Sequence, residues 1–358
     1  MTRAFNILAC FFSLFLTMLH ATSAAQTTPP PVEGTWVTRD FAFHDGSVLP
    51  ELRLAYTTLG DPKHEAIVVL HGTTGTGKGM MGPDFGGQLF GPGQPFDANR
   101  YFIVLPDSIG TGRSSKPSDG LAAKFPAYNY HDMVRAYHLL LTQGLGLRHV
   151  RLIIGNSMGG MHTWMFGGMY PTYSDILVPL ASMPVEMSGR NWMTRRLIID
   201  SIRNDPGYDK GFYKVQPKST QFASVMYAVA TNGGMHALQR IAPTREAADR
   251  HLDTLLKAPF TADANDILYQ WNASRDYAPE PGLDATVATV LMINSADDER
   301  NPPDLARVDQ ALKRVRHLKT YLIPGTEYTA GHGTTAQAKW WAPQARDVLA
   351  TAPRLPRP

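Results

Sequence analysis

The sequence predicts an α/β fold in which a mainly parallel central sheet is flanked by helices and interrupted by an inserted helical segment. Two observations carry this prediction. Short apolar runs that end in glycine-rich turns alternate with stretches whose apolar residues recur at helical spacing, as in a parallel sheet with crossover helices. Between residues 185 and 282 the strand pattern is absent, and Met and aromatic residues recur at helical spacing instead. We expect this insertion to cover the carboxyl ends of the strands, where ligands bind in such sheets.

The predicted elements form two parts of one core, residues 26–184 and 283–358. The first part follows a proline-rich tether and opens with two stretches of alternating or β-branched residues, which predict an antiparallel pair: "TWVTRDFAF" and "LRLAYTTLG". The buried strands expected after this pair are "AIVVLHG", "YFIVLPDSIG", "VRLIIGNS" and "ILVPLAS". The second part adds the strands "VATVLMINS" and "HLKTYLIP" and a last helix from Ala336 to Leu349.

Residues 1–25 have the three-part pattern of a secretory signal peptide. Arg3 supplies the positive start, the stretch from Ile7 to Leu19 is almost wholly apolar, and Ser23 and Ala25 are the small residues that a signal peptidase requires. The apolar stretch is shorter than the roughly 20 residues that a membrane-spanning helix needs. We therefore expect cleavage after Ala25 and a periplasmic or secreted protein without stable membrane association.

The charge and the cysteine content exclude several classes of function. A formal net charge of +3 on 358 residues, without a long run of basic residues, argues against a nucleic-acid partner. The one cysteine, Cys10, lies inside the predicted signal peptide. The mature chain therefore has no thiol, which excludes thiol catalysis, disulfides and cysteine-ligated metals. We expect neither a metal nor another cofactor.

The segment "LIIGNSMGGMH" places Ser157 in a Gly-x-Ser-x-Gly motif between a predicted strand and a predicted helix. In that context the motif is a nucleophile elbow, a sharp turn that strains the serine backbone and exposes its Oγ. Gly155 and Gly159 leave room for the neighbouring backbone. We predict that Ser157 is a catalytic nucleophile.

A serine hydroxyl is a weak nucleophile at neutral pH and needs a base that is oriented by an acid. With an elbow of this kind the acid follows the serine along the chain, and the histidine comes last. Asp297 and Asp298 both follow a late predicted strand, and His332 lies in a glycine-flanked loop between the last strand and the last helix. The pattern predicts His332 as the base and leaves two candidates for the acid.

The stretch "HGTTGTGK" fits two motifs that predict different chemistry. Up to Lys78 it nearly matches the phosphate-binding loop G-x-x-x-x-G-K-[ST], but the next residue is Gly where that loop needs Ser or Thr for Mg²⁺. From His71 it is His-Gly-x-x-Gly, a turn after an early strand that offers backbone N–H groups to an oxyanion. We predict that the N–H groups of Thr73 and Met158 form the oxyanion hole, where one donor is typically worth about 3–4 kcal/mol.

Three segments carry a family resemblance: "GGQLFGPGQPFDANRYFIVLPD", "GNSMGGMHTWMFGGMYP" and "RRLIIDSIRNDPGYDKGFY". They resemble the homoserine O-acetyltransferase branch of the α/β-hydrolase superfamily, and the similarity covers most of the chain after the predicted signal peptide. The resemblance implies the α/β-hydrolase fold, with residues 185–282 as a helical lid. It also implies a homodimer in which lid helices pair the two subunits. It favours Asp298 as the acid, because three residues separate Asp298 from Pro302 as in that family's acid turn. It also implies that Arg195, at the start of the lid, binds substrate.

The sequence departs from this branch at two positions. The family has an Asp directly after the catalytic histidine, which holds the substrate's ammonium group, and here that residue is Gly333. The oxyanion turn has Gly72 where the transferases usually have Ala. Loss of the carboxylate removes a charge-assisted contact worth about 1.5–3 kcal/mol. We therefore expect that homoserine is not the acceptor.

The sequence thus predicts a serine hydrolase that cleaves a small-molecule carboxylic ester through an acyl-Ser157 intermediate. The predicted export favours water as the acyl acceptor, because acetyl-CoA is not expected outside the cytoplasmic membrane. The alternative is an O-acyltransferase that moves the acyl group to an alcohol. A third hypothesis is a non-catalytic binding protein on a hydrolase scaffold, against which the complete set of Ser157, Asp298 and His332 argues.

Overall fold

The structure is a computed structural model that describes residues 27–231 and 233–357; the predicted signal peptide, residues 1–25, lies outside them. The described residues form one eight-stranded sheet with helices packed on both faces. In chain order the strands are β1 (Val32–Ala42), β2 (Val48–Leu59), β3 (Ala66–Leu70), β4 (Phe102–Pro106), β5 (Val150–Asn156), β6 (Ser174–Leu180), β7 (Thr289–Ser295) and β8 (Leu318–Ile323). The α-helices of this part of the chain are α1 (Tyr130–Leu139), α2 (Met158–Met169), α3 (Gly189–Arg203), α4 (Lys218–Thr231), α5 (Gly234–Ile241), α6 (Arg245–Lys257), α7 (Ala264–Asn272), α8 (Ala306–Leu312) and α9 (Ala342–Thr351).

The strand order across the sheet is β1-β2-β4-β3-β5-β6-β7-β8. β1 pairs antiparallel with β2, as does β2 with β4, and the remaining neighbours from β4 to β8 are parallel. The predicted fold class is confirmed. The chain runs outward from β3 to β4 and then returns past β3 to β5. Because the loops after β3 and β5 leave the sheet in opposite directions, a crevice opens between them, and such a crevice is where an α/β sheet binds its ligand.

The central strands are apolar along their whole length because both of their faces are covered. Ile67 and Val69 belong to one buried cluster, which includes Trp341 and residues of α9. Val68, between them on β3, belongs to a second cluster on the other face with Trp164 of α2. Successive side chains of a strand point to opposite faces of the sheet, so β3 contributes to both cores and shows no polar alternation.

The segment from residue 185 to residue 282, which we call the lid, contains helices α3 to α7. Its buried cluster includes Ile198, Ile202 and Tyr227 and is separate from the clusters that cover the sheet. The lid is tied to the core through Asp266 of α7, which accepts hydrogen bonds from the N–H and the hydroxyl of Ser118 at 2.9 and 2.6 Å. Among the residues that the structure describes, no helix is both long and apolar enough to cross a bilayer.

The start of the last helix differs from the prediction. The sequence pattern places it at Ala336, whereas α9 begins at Ala342 and the preceding residues form two short 3₁₀ turns. Trp341 is fully buried, and its indole N–H donates to the carbonyl of Thr335 at 2.9 Å. This anchor and Pro343 in the first turn, where proline is favoured, fix the later start.

Candidate active site

Ser157 lies at a sharp turn between β5 and α2. Its backbone has φ 57° and ψ −111°, a conformation that costs a non-glycine residue about 1–3 kcal/mol. The turn is possible because the neighbouring backbones approach closely: a Cβ on Gly155 would lie 2.2 Å from the carbonyl carbon of Gly159, and a Cβ on Gly159 would lie 2.2 Å from the carbonyl oxygen of Leu70. The two glycines of the motif are therefore required by space, and the turn presents the Ser157 hydroxyl above the sheet.

The structure brings the predicted nucleophile, base and acid together from three strand ends. His332 Nε2 lies 2.9 Å from Ser157 Oγ, and His332 Nδ1 lies 2.8 Å from Asp298 Oδ2. The side chains belong to the loops after β5, β7 and β8, so 175 residues separate Ser157 from His332. All three residues are at least nine-tenths buried. The arrangement is a hydrogen-bonded relay from a carboxylate through an imidazole to a hydroxyl.

The two neighbouring carboxylates have different partners. Asp298 contacts the imidazole, and its Oδ2 also accepts a hydrogen bond from the amide of Asn301 at 2.8 Å. Asp297 instead accepts hydrogen bonds from the hydroxyl of Thr329 at 2.7 Å and from the N–H of Gly331 at 3.2 Å. Asp297 thereby holds the loop that carries His332, and only Asp298 is placed to orient the ring.

Burial and two arginines set the electrostatics of the relay. Burial lowers the pKa of His332, and the charges of Arg300 and Arg195 lower it further, against the opposing effect of Asp298. Burial by itself would raise the pKa of Asp298, but the His332 ring and the surrounding hydrogen bonds hold that pKa below its usual value. At neutral pH Asp298 is therefore ionised and His332 is uncharged, which are the states that a triad acid and a general base need.

The predicted oxyanion donors lie on the two loops beside Ser157. Met158 is the first residue of α2, so its N–H has no acceptor within the helix. Thr73 follows Gly72, whose Cα is close enough to the nucleophile that an added Cβ would lie 3.6 Å from the Cβ of Ser157. Thr73 and Ser157 line the same cavity. Thr73 therefore borders the space above Ser157 and Met158 directly follows Ser157, and the role of their N–H groups as oxyanion donors stays a prediction.

His71 has a role at this turn that the sequence analysis did not assign. Its Nε2 accepts a hydrogen bond from the N–H of Ser108 at 3.0 Å, so the proton is on Nδ1, which donates to the carbonyl of Gly72 at 2.8 Å. That carbonyl and the N–H of Thr73 belong to one planar peptide unit and point in opposite directions. The N–H of Gly75 donates to the same carbonyl at 3.0 Å, so His71 and Gly75 together fix the direction of the Thr73 N–H. The Ser108 partner of His71 is remote in sequence, so the motif alone did not reveal the contact.

A cavity of about 760 Å³ opens over Ser157 and His332. Part of its wall is formed by residues of the lid: Ser224, Tyr227, Ala228, Gly233, Phe260, Ala262, Ile267 and Trp271. Arg300 and Gly333 also line it. Its volume suits a small molecule. Within residues 27–231 and 233–357, no group of three or more His, Asp or Glu side chains is arranged to hold a metal ion.

Arg195 does not line this cavity, although the resemblance implies that it binds substrate. It is fully buried, and its guanidinium stacks on the ring of Trp271, with 4.8 Å between its central carbon and the ring centroid. Asn191 and Ser274 accept hydrogen bonds from it at 3.0 and 3.1 Å. In this structure Trp271 forms the cavity wall and Arg195 lies against that ring, so a direct contact with substrate stays a prediction.

Comparison with known proteins gives one family match and a consistent group of relatives. Residues 65–327 match the family model described as the alpha/beta hydrolase fold. The homoserine O-acetyltransferase of Thermobifida fusca is 33% identical over 218 residues, which span 56% of this chain and 57% of that enzyme. Among solved structures, homoserine O-acetyltransferase from Bacillus anthracis has a TM-score of 0.78 at 19% identity, covering 90% of this chain and 98% of the other. An acetylester hydrolase from Corynebacterium glutamicum has a TM-score of 0.76 at 19% identity, covering 89% and 96%.

Proposed function

The chain belongs to the α/β-hydrolase family, and from that premise we propose that it transfers an acyl group from a carboxylic ester, through an acyl-Ser157 intermediate, to an alcohol. The observation that carries the proposal is the relay in which His332 joins Ser157 at 2.9 Å to Asp298 at 2.8 Å. This geometry supports acyl transfer in general and opposes the hypothesis of a non-catalytic binding protein.

The steps follow from the positions of the side chains. His332 Nε2 takes the proton of Ser157 Oγ as that oxygen attacks the ester carbonyl, and Asp298 stabilises the imidazolium that forms. The N–H groups of Thr73 and Met158 bind the resulting oxyanion. When the intermediate collapses, His332 returns its proton to the leaving alcohol. An acceptor hydroxyl then gives its proton to His332 and attacks the acyl carbonyl, and Ser157 regains a proton when the product ester leaves.

The name of the Thermobifida relative supports an alcohol as the acceptor, which was the alternative in the sequence analysis. The structural neighbours include a transferase and an ester hydrolase, so the fold does not choose between acceptors. Hydrolysis is the second candidate. It is favoured by Gly333, which lines the cavity and supplies no carboxylate for the ammonium group of an amino-acid acceptor.

The nucleophile is tested with p-nitrophenyl esters and the Ser157→Ala variant. We expect wild-type protein to release p-nitrophenol and Ser157→Ala to lose about 10⁴-fold or more of kcat, as in other serine enzymes with a relay of this kind. Ser201→Ala is the control, because the Ser201 hydroxyl bonds only to carbonyls of its own helix, α3. Full p-nitrophenol release by Ser157→Ala would refute the proposal.

The acceptor is tested by adding alcohols to the same reaction and separating the acid from the ester product. Transfer to an alcohol predicts that the new ester forms at the expense of the acid. If acid is the sole product at every alcohol concentration, water is the acceptor and the second candidate replaces the first.

We also propose export and a homodimer, the two remaining sequence predictions. The amino-terminal sequence of protein recovered from the periplasm or medium tests export, with Gln26 expected as the first residue. Light scattering of the purified protein tests for a dimer, and a monomer mass at high concentration would oppose pairing through the lid helices.

A further inference from the structure

The cavity over Ser157 has an uneven distribution of charge. Among the described residues that line it, Arg300 is the one permanently charged side chain, and no Asp or Glu contributes to the wall. Arg300 is 6% exposed, so little water reaches it. Since charges interact more strongly where water is largely excluded, an anionic group in the cavity would gain more from Arg300 than it would at the protein surface.

The Arg300 side chain is held in place. Its guanidinium carbon lies 4.3 Å from the centroid of the Tyr227 ring, which is also part of the cavity wall. Its Nε donates to the carbonyl of Thr231 at 3.2 Å. A cation fixed in this way loses little conformational freedom when a ligand binds, and the planar guanidinium matches the geometry of a carboxylate.

Arg300 is also close enough to act on the reaction centre. It is the second residue after Asp298, and its charge contributes to the lowered pKa of His332. Asp298 and Glu299 interact with the same arginine from the side of the loop after β7. Directly after His332 the chain has Gly333 and no carboxylate. An added Cβ at Gly333 would meet only the Cβ of Ala330, at 3.7 Å. The wall therefore has space at this position, and none of the described lining residues offers a carboxylate to an ammonium group.

We propose that Arg300 makes the cavity selective for esters that carry a carboxylate and no ammonium group. This inference rests on the proposed function, because the selected ester is the one that acylates Ser157. The inference adds the class of substrate to the proposed function. The substrate is an ester with a free carboxylate, either the acyl ester of a hydroxy acid or the half-ester of a dicarboxylic acid. A zwitterionic amino-acid ester would bring its ammonium group into a cavity whose fixed charge is positive.

The test uses matched acetyl esters at about pH 7, where the lowered pKa of His332 leaves the ring uncharged and an α-amino group, with an ordinary pKa of about 8, stays mostly protonated. O-acetyl-3-hydroxypropanoate carries the carboxylate, O-acetyl-3-hydroxypropanamide is its neutral counterpart, and O-acetylserine adds only an ammonium group. p-Nitrophenyl hemisuccinate and p-nitrophenyl levulinate form the corresponding anionic and neutral pair on the acyl side. We expect wild-type kcat/KM to favour the anion over its neutral counterpart in at least one pair, and over O-acetylserine, by about tenfold or more.

Arg300→Gln should remove most of this preference, because it removes the charge. Arg300→Lys should retain part of it, because lysine keeps the charge but lacks the planar guanidinium. Arg190→Gln, which removes an exposed arginine of α3, is the control for net charge. Gly333→Asp should raise the kcat/KM ratio of O-acetylserine to O-acetyl-3-hydroxypropanoate, and it keeps the inference testable if Arg300→Gln does not fold.

The two proposals fail in different ways. If no ester acylates Ser157, the proposed function fails. If neutral esters react but the wild type shows no preference for the anion in either pair, or accepts O-acetylserine equally well, only the inference about Arg300 is overturned.

Discussion

The two adjacent carboxylates after β7 provide a test at the scale of single residues. Asp298→Asn removes the charge that orients His332 and stabilises its protonated form, and we expect kcat to fall by about 10⁴-fold. Asp297→Asn weakens the contacts with Ser295, Thr329 and Gly331 and leaves His332 its own acid, and we expect kcat to fall less than about tenfold with a lower melting temperature. Steady-state kinetics on a p-nitrophenyl ester and a thermal melt check both. Equal losses of kcat in the two variants would contradict the assignment of the acid.

Under the proposed function His71 is a positioning residue, because it would act on the oxyanion only through the Gly72–Thr73 peptide. His71→Ala leaves the Gly72 carbonyl with the hydrogen bond from the N–H of Gly75 alone, so the peptide is held less firmly. We expect kcat to fall by about tenfold or more, short of the about 10²–10³-fold effect of removing one oxyanion donor. KM should change little, because the ground-state ester makes weak use of the Thr73 N–H. A purely structural His71 would instead lower the melting temperature and leave kcat of the folded fraction intact.

The acid limb of the pH profile reports the proton on His332. Burial and then Arg300 lower the pKa of His332 below its ordinary value of 6.5, and the reaction needs the uncharged ring. Activity on a neutral ester should therefore persist below pH 6.5 and fall as the pH drops through the lowered pKa. Arg300→Gln removes a neighbouring cation, so the limb should move to higher pH. A limb that stays in place, or moves to lower pH, would contradict this account of the charges around His332.

At the scale of elements, Glu299 joins the lid to the loop of the catalytic histidine. One of its oxygens accepts the N–H of Gly234, the first residue of α5, at 2.9 Å, and the other accepts the N–H of His332 at 3.3 Å. The start of α5 also contacts this loop through Gly233, whose N–H donates to the carbonyl of Ala330 at 3.0 Å. A carboxylate suits this position, because the beginning of a helix carries a partial positive charge.

We therefore expect Glu299→Ala to loosen α5 and the His332 loop together. kcat should fall by about tenfold, and amide hydrogen exchange should become faster in α5 and in the loop, because local opening is set by the contacts that hold a segment. Glu65→Ala is the control, because Glu65 forms an exposed ion pair with Arg354 and makes no contact with the lid. Unchanged exchange in α5 would show that Glu299 does not couple the two elements.

The sequence predicts elements well where one local rule decides them. β3 and β5 are recognisable because strands covered on both faces are continuously apolar. Ser157 is recognisable because an elbow needs small residues at both flanking positions. The start of α9 is not recognisable from helical spacing, because Trp341 docks into the core and keeps the preceding residues out of the helix.

The roles of some site residues could not be predicted from the sequence, because they depend on contacts between segments that are remote in the chain. Asp297 and Asp298 are adjacent, and their different partners arise only when the loop after β8 folds over them. Arg195 has the expected position in the chain, but packing against Trp271 places it away from the cavity wall. His71 depends on Ser108, which comes from a different loop of the sheet.

At the scale of the whole molecule, Arg151 fastens the carboxyl-terminal segment to the sheet. Its guanidinium bonds to Asp175 at 3.0 Å and to the carbonyls of Leu349 and Ala352 at 2.8 and 2.9 Å. Arg151 and Asp175 are 3% and 1% exposed. The contact therefore links β5, β6 and the end of α9 in a region that water does not reach.

Arg151→Met should lower the free energy of unfolding by about 3 kcal/mol, because the buried Asp175 carboxylate loses its arginine and keeps only the His149 ring and the N–H of Leu355 as partners. Arg354→Ala removes an exposed ion pair with Glu65, and should cost about 1 kcal/mol or less. Urea unfolding measures both. Equal losses in the two variants would show that the buried contact contributes no more than a surface pair.

The loop that carries His332 follows β8, the strand at one edge of the sheet and the last strand to leave the ribosome. During translation Ser157 can already occupy its bend between β5 and α2 while the imidazole that must deprotonate it has not yet been synthesised. Under the proposed function, Ser157 therefore gains its base only after β8 has paired with β7 and the loop that follows has folded over the nucleophile.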